Sequence, residues 1–518
     1  MGQNVSMRRL LGIMLIPAAV FAERINHEGR LLGEVPVVTQ PLLFNTPQAD
    51  AVVSAMQIMP LDSPWNEDIS TRPLLANSPA MIGRITSDLD TDRRNLRLFE
   101  EMNYALVPES QAKVPITFFQ YPAESDLDGG ASGIGQYPIP ANLPVETWPT
   151  GTGTLTLEDW QADTINRGGD RHSITVKPGS GFIWETWLTK RVGAAWRAAN
   201  GAKFSLNSNA LRPAGWTSAD AAGLPMFPAL VRYDECQRGM VEHAMRIVVK
   251  RTRRAYIYPA THHASNPVTE EEEVPAMGQR VRLKANFAIP TNWTIQEKAV
   301  ALGLKKYGAF VADNGNFFSI SITPDNRYPS GCFSRLRNLL VSDFEVIQTT
   351  GAGEGPRSAG APTANAGPDL NVVAGGSADL AGVVTHSLPV TVQWKLYAGP
   401  GTVSFGTTGQ TTTTAVFTVP GNYTLMLKAA DGIHTPAFDA VKVEVTLPVS
   451  VTRDGIDTRI EFPSASGRQY RVERSGNLTV WQTVVDQLMG TGATLQATHA
   501  GTPGSPETKQ FYRVVVLD

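Results

Sequence analysis

The sequence predicts a mainly β, multidomain protein: a β-sandwich-like N-terminal unit with a few short helices, followed by two smaller β modules. Three observations lead there. Downstream of about residue 350 the chain becomes short alternating strands with turn signals at regular intervals, the pattern of β-sandwiches. Upstream, proline-rich joins such as "QYPIPANLPVETWP" favour extended, loop-rich backbone over helix. One segment, "TIQEKAVALGLKKYG", has helical character: Ile295, Ala299, Leu302 and Leu304 fall near one face, lysines gather near its end and a glycine follows.

Taken in order, Met1 to Ala22 reads as a secretory signal peptide, with Arg8 and Arg9, an apolar run from Leu10, and Val20 and Ala22 at the −3 and −1 positions of a cleavage site. That run is shorter than the roughly 20 residues a bilayer span needs, and nothing later is long and apolar enough, so an exported chain without a membrane span is expected. A length of 518 residues with 42% hydrophobic residues leaves room for several packed domains. A formal net charge of −3 with 18% charged residues provides no basic field, which argues against nucleic acid as the main partner. Two cysteines, Cys236 and Cys332, cannot form a disulfide framework; one bridge and two free buried thiols both remain open.

The first working unit is expected over residues 23–350. Then "TTGAGEGPRSAGAPTANAGP" is rich in small residues and poor in large apolar ones, which places a linker at 351–360. The segment 361–446 contains "TANAGPDLNVVAGGSADLAG", "VTVQWKLYAGPGTV", "TTAVFTVPGNYTLMLKAADG" and "DAVKVEVT". On these motifs it resembles a PKD domain, an immunoglobulin-like sandwich common in exported bacterial enzymes. The resemblance implies that Trp394 is the core tryptophan, that Pro420-Gly421 precedes the strand carrying Tyr423, and that Asp431-Gly432 makes the next hairpin turn. Residues 447–518 alternate Ile460, Phe462, Tyr470, Val472, Phe511 and Tyr512 on half-buried strands. With its "YRVERSGNLTVW" hairpin and terminal "FYRV" strand, this part resembles the C-terminal β modules of many secreted bacterial proteins, which space or attach a working domain.

In the working unit, Trp65 between proline and asparagine is suited to packing over a sheet edge. Strand periodicity places His172 with Ile174 and Val176 in "HSITV", and Asp170 joins that face if the strand reaches back to it. In "FIWETW" Glu185 shares a face with Ile183 and Trp187; in "VEHAMRIVV" His243 lies with Val241, Met245 and Ile247. A histidine on an apolar strand face is ordinarily a hydrogen-bonded core residue. An inward glutamate, however, needs a cation, a hydrogen-bond network or a wet cleft. Trp184 and Trp187 beside it suit sugar stacking. A second dense stretch, Asn207 to Ile247, brings Arg212, Trp216, Asp220, Arg232 and Tyr233 into turns, where sites tend to lie. With "GDRH", "KKYGAFVADNG" and "MGQRVRLKANF", the region from Pro60 to Val346 resembles a family of secreted bacterial proteins. That likeness implies one domain and assigns no roles.

Other motifs carry less. His262 and His263 in "THHAS" point to opposite faces if that segment is a strand, and neither HExxH nor a CxxC pair occurs. "ADNG", Ala312 to Gly315, reads as a hairpin turn. "TEEEEVP" reads as a solvated acidic loop with calcium as an option. In "RVRLKANF", Arg280, Arg282 and Lys284 form the basic outer face of a half-buried strand, which would favour an anionic polysaccharide if it lined a groove.

These features lead to a secreted carbohydrate-active protein that cleaves a polysaccharide by carboxylate acid/base chemistry, without a cofactor beyond structural calcium. Glu185 with Asp220 or Asp170 is the expected carboxylate pair. His172 or His243 tunes the acid or serves as base in a lyase. Trp184, Trp187, Trp216, Arg212, Arg232 and Tyr233 are the expected substrate contacts. A non-catalytic binder of cell-surface glycan is the first alternative. A metal-dependent enzyme using His172, His243 and a carboxylate is the second.

Overall fold

The computed structural model describes residues 23–166, 168–264, 271–349, 361–417, 419–464, 466–501 and 509–517. The expected signal peptide and linker lie outside them, as does the start of the acidic loop. Among the described residues strand far outweighs helix, and no helix is long and apolar enough to cross a membrane.

Up to residue 349 the described residues form three sheets and five α-helices: α1 (Pro47–Ala55), α2 (Ser78–Asp88), α3 (Leu157–Ala162), α4 (Tyr233–Arg238) and α5 (Ile295–Lys306). The six-stranded sheet runs, in spatial order, Phe344–Val346, Arg280–Leu283, Ala309–Asn314, Met245–Val249, Phe318–Ile322, Leu96–Glu100. The five-stranded sheet runs Leu42–Leu43, Ala105–Leu106, Ser173–Lys177, Phe182–Trp187, Asn200–Ser205. Both mix parallel and antiparallel pairs. Their inner faces share one apolar core, to which Ile174, Val176 and Ile183 come from one sheet and Ile247, Val311 and Ile320 from the other. Leu224, Met226 and Phe227, on a loop, belong to the same core. A smaller four-stranded sheet packs Ile116, Phe118, Tyr137 and Trp196 against Trp184.

Local sequence explains the elements. Helix α5 begins in a capping box: the Thr294 hydroxyl accepts from Glu297 N at 3.1 Å, and the Glu297 carboxylate accepts from Thr294 N at 2.9 Å. Its buried face is Ala299, Val300, Gly303 and Leu304, while Ile295 and Leu302 are exposed, so the expected stripe is rotated. Gly303 is the reason: a Cβ there would lie 2.8 Å from Val241 O, so only glycine lets the helix approach that backbone. Trp65 is buried and meets Phe310 edge-on at 5.0 Å.

Two expectations are corrected. Ala312 to Gly315 is not a hairpin turn, because Met245–Val249 lies between Ala309–Asn314 and Phe318–Ile322 in the sheet. The arginines of Arg280–Leu283 are not an outer face. Arg280 is buried on Glu67 at 3.1 Å and donates to Tyr307 O at 2.7 Å, and Arg282 is buried on Glu345 at 2.7 Å. The segment around Glu67 and Ile69 covers that side of the sheet.

Downstream, a four-stranded sheet (Leu370–Val373, Ala437–Thr446, Gly421–Ala430, Thr391–Ala398) and a three-stranded one (Ser377–Ala381, Thr412–Phe417, Val403–Phe405) enclose an immunoglobulin-like core. Trp394 is buried in it and donates Nε1 to Thr411 O at 3.1 Å; Tyr423 donates to Val419 O at 2.8 Å. Asp431-Gly432 falls in the turn that pairs Gly421–Ala430 with Ala437–Thr446. In the last part, Ile460, Phe462, Tyr470 and Val472 are buried between two three-stranded sheets, with Phe511 and Tyr512 half-buried.

A strap at Glu23–Leu32 touches both of the first two parts. Asn26 and Arg30 bond the Glu242 carboxylate at 2.9 and 3.0 Å, and Lys306 pairs with Glu28 at 2.6 Å. On its other side Leu31 N donates to the Tyr397 hydroxyl at 3.0 Å, and Lys442 pairs with Glu23 at 2.9 Å. Gly29 sits at φ +74°, where a Cβ would lie 2.8 Å from the Phe438 ring. Among the described residues the first core draws on none beyond Val346, so a chain ending at Thr350 is expected to lose these second contacts and still fold. Circular dichroism of that chain should show a cooperative thermal transition; a molten spectrum would mean the first core depends on the later modules.

Candidate active site

The two carboxylates expected to carry chemistry are both enclosed. Phe182–Trp187 is an inner strand of its sheet and turns Glu185 inward with Ile183. The Glu185 carboxylate accepts from Met226 N at 2.9 Å and Phe227 N at 2.8 Å, at the entry to a 3₁₀ turn (Phe227–Ala229). Burial outweighs these amide bonds and pushes its pKa up to about 7. Asp220 accepts from Arg246 Nε and Nη2 at 2.9 and 2.8 Å, with both side chains buried. Arg246 also donates to Ser321 Oγ at 3.0 Å, which donates to Glu101 at 2.9 Å. Glu185 and Asp220 therefore do not open to a groove as a proton donor and its partner must.

Both expected histidines are saturated. His172 Nδ1 meets Glu146 at 2.9 Å and its Nε2 meets Ala219 O at 2.9 Å. Both neighbours are acceptors, so both ring nitrogens donate. Burial opposes that charge, but the Glu146 carboxylate outweighs it and lifts the His172 pKa to about 9. His243 is held between Ala244 O at 2.8 Å and Glu235 at 3.1 Å. Among the described residues no three His, Cys, Asp or Glu side chains are grouped so as to hold a metal, and both histidines have their nitrogens committed. Cys236 and Cys332 are free and buried.

The expected substrate contacts divide similarly. Trp184 is buried and donates Nε1 to Asp128 at 2.8 Å. Arg212 is buried, paired with Asp126, and lies 5.5 Å from the Trp216 ring centre. Arg232 is buried on Glu235 at 2.9 Å, and Tyr233 is covered by Arg327 at 4.0 Å. Trp187 differs: it is half-buried, donates to the exposed Asp170 at 3.3 Å, and has Tyr121 beside it at 6.3 Å between ring centres.

Asp313, which the sequence analysis read as part of a turn, is the carboxyl with the properties a site needs. It follows a β-bulge: Ile247 pairs with Val311, but Val248 pairs with Asp313, so Ala312 is an extra residue and Asp313 is re-aimed. Its side chain keeps 27% exposure and lies 3.7 Å from Arg246. Burial, then the Asp220 charge, push its pKa up to about 7 against the pull of Arg246, with Asp170 adding to the rise. Ala312 O accepts from Ala222 N at 2.9 Å, and the adjoining Ala221 O accepts from His262 Nδ1 at 2.7 Å. Because a carbonyl oxygen can only accept, His262 Nδ1 is the donor in that bond. His262 and His263 stack at 5.5 Å, so they share a side rather than facing apart, because this segment is not a strand. A strand-alternation reading cannot find a residue turned by a bulge.

Two consequences can be measured. Asp220→Asn removes the bidentate partner of the buried Arg246 guanidinium and leaves it the more distant Asp313 carboxyl at 3.7 Å, so it is expected to cost about 3 kcal/mol in urea unfolding. A loss below 1 kcal/mol would mean the pair is not structural. The second concerns pH: His172 binds its proton up to about pH 9 when folded but only to about 6.5 unfolded. Its contribution is complete below about pH 6.5 and disappears as pH rises through about 9. Unfolding free energy should therefore fall over that window in the wild type, and His172→Gln should flatten the slope.

No family model matches the chain, and no curated protein is similar enough to match. Among solved structures, a PKD domain from the KIAA 1837 protein is similar at 20% identity, over 19% of this chain and 91% of that one, with a TM-score of 0.15. The PKD domain of human KIAA0319 is similar at 18% identity, over 21% of this chain and 99% of the other, with a TM-score of 0.17. The titin I-band fragment I67–I69 is similar at 11% identity, over 30% and 64% of the two chains, with a TM-score of 0.15. These likenesses concern fold and carry no activity to this chain.

Proposed function

We propose that the N-terminal unit cleaves a polysaccharide by acid/base chemistry at Asp313, with Asp170, Trp187 and His262 taking part, in an exported protein whose two β modules attach or space it. The feature that carries this reading is the placing of Asp313, a partly exposed carboxyl re-aimed by the bulge to 3.7 Å from Arg246, whose pKa burial and the Asp220 charge raise. Such a group can donate a proton to a leaving oxygen at neutral pH. Asp170, exposed and held by the Trp187 indole, is the second carboxylate. Trp187 with Tyr121 supplies an aromatic surface for a sugar ring. His262, held through Nδ1 on Ala221 O, is the base if the bond is broken by elimination.

The glycan-binding alternative has its own support: Phe119 is exposed, with Arg197 at 4.8 Å, and an aromatic face needs no acid. Reducing-end release over a panel of neutral and acidic polysaccharides separates the two. On the substrate found, Asp313→Asn is expected to lower kcat at least about 100-fold with an unchanged melting temperature. Wild-type kcat should fall as pH rises through about 7, because the donor loses its proton. Full activity in Asp313→Asn removes the assignment, and glycan binding without any release selects the alternative.

A further inference from the structure

A cavity of about 470 Å³ lies on the edge of the six-stranded sheet, between Leu96–Glu100 and the turn Ser334–Asn338. That volume is within the roughly 300–1,000 Å³ typical of small-molecule sites. Its wall is an unpaired strand edge. Leu96 N donates away from the sheet to Leu339 O at 2.8 Å, whereas Glu101 N donates into the sheet to Ile322 O at 3.2 Å. Alternation along the strand then turns the N–H and C=O of Leu98 toward the cavity.

Two guanidinium groups line the same space. Arg337 spends its Nε on Ser334 O at 2.8 Å, and Arg97 spends one terminal nitrogen on Asp92 O at 2.7 Å. Each keeps further N–H donors, and a guanidinium fork fits a carboxylate. Of the two acids in the lining, Asp325 is taken by Arg327 at 2.8 Å. Burial raises the pKa of the other, Glu100, whose carboxyl oxygens can accept from ligand hydroxyls. Ser330 adds a hydroxyl. The edge is too short for a peptide. Asn95 bridges Leu340 at one end, and Thr150 Oγ1 donates to Glu100 O at 3.1 Å at the other. Only Arg97 to Phe99 stay open, about 10 Å at about 3.3 Å per residue.

We infer that this cavity binds a small hydroxylated carboxylate, a sugar acid of one or two residues, with Arg97 and Arg337 on the carboxylate and the Leu98 peptide and Ser330 on hydroxyls. The inference is separate from the Asp313 reading, since it concerns binding at a different sheet edge. The test is calorimetric titration of the full chain with D-galacturonate, compared with D-galactose and with acetate. Saturable binding of galacturonate is expected, at least about tenfold tighter than either comparison, and weakened about tenfold by Arg337→Ala, whose exposed side chain can be removed without touching the core. Asp313→Asn should leave it unchanged. Absence of saturable galacturonate binding, equal binding of galactose, or affinity unaltered in both Arg337→Ala and Arg97→Ala would overturn the inference.

Discussion

A loop that runs through the inside of a protein has to find partners for its peptide groups, and residues 217–227 do so with side chains from both large sheets. Asn200 donates to Ser218 O at 2.5 Å, His172 to Ala219 O at 2.9 Å and His262 to Ala221 O at 2.7 Å, while Glu185 accepts from Met226 N and Phe227 N. Arg246 holds the Asp220 side chain between them. Leu224, Met226 and Phe227 can then join the apolar core without leaving polar backbone unsatisfied. Much of the first unit's core arrangement depends on this loop staying in place, and its polar partners secure it.

That dependence explains why ionisable residues are dense here and why most of them are unavailable. Glu185, His172, Asp220, Arg246 and Asn200 all face one another or the loop. A buried charge is tolerated when every neighbour is matched, and matching consumes the lone pairs and protons that catalysis needs. What remains open lies at the margin of the network, where the Asp313 carboxyl feels the same charges but keeps a path to solvent.

The sequence was most legible where one rule decides structure. The alternation at Ile460 and Phe462 and the helix in "TIQEKAVALGLKKYG" follow from local spacing, the buried Trp394 and Tyr423 from the resemblance to a PKD domain, and the structure has them. Strand alternation also placed Ile174, Val176 and Ile183 inside, with His172 and Glu185 beside them. It could not say what those polar groups met, because the partners are peptide groups up to 47 positions away. The Asn-Gly turn signal misplaced Asp313, and alternation misplaced Arg280 and Arg282. A bulge breaks the period of two, and a covering segment far away in the chain turns a polar face into an interior.

The strap at Glu23–Leu32 has a consequence for how the chain is assembled. Asn26 meets Glu242 across 216 positions, and Leu31 meets Tyr397 across 366. These residues emerge early in synthesis, but their partners are made much later, so strap docking cannot be an early event in folding. Closing such long loops carries a large entropic cost before any contact repays it. His27, buried and held neutral with its pKa lowered to about 4, must also lose contact with water in that step. The strap therefore acts as a latch on two nearly finished bodies. Until it closes, the Glu242 carboxylate and the surface around Phe438 remain open to solvent and to other chains.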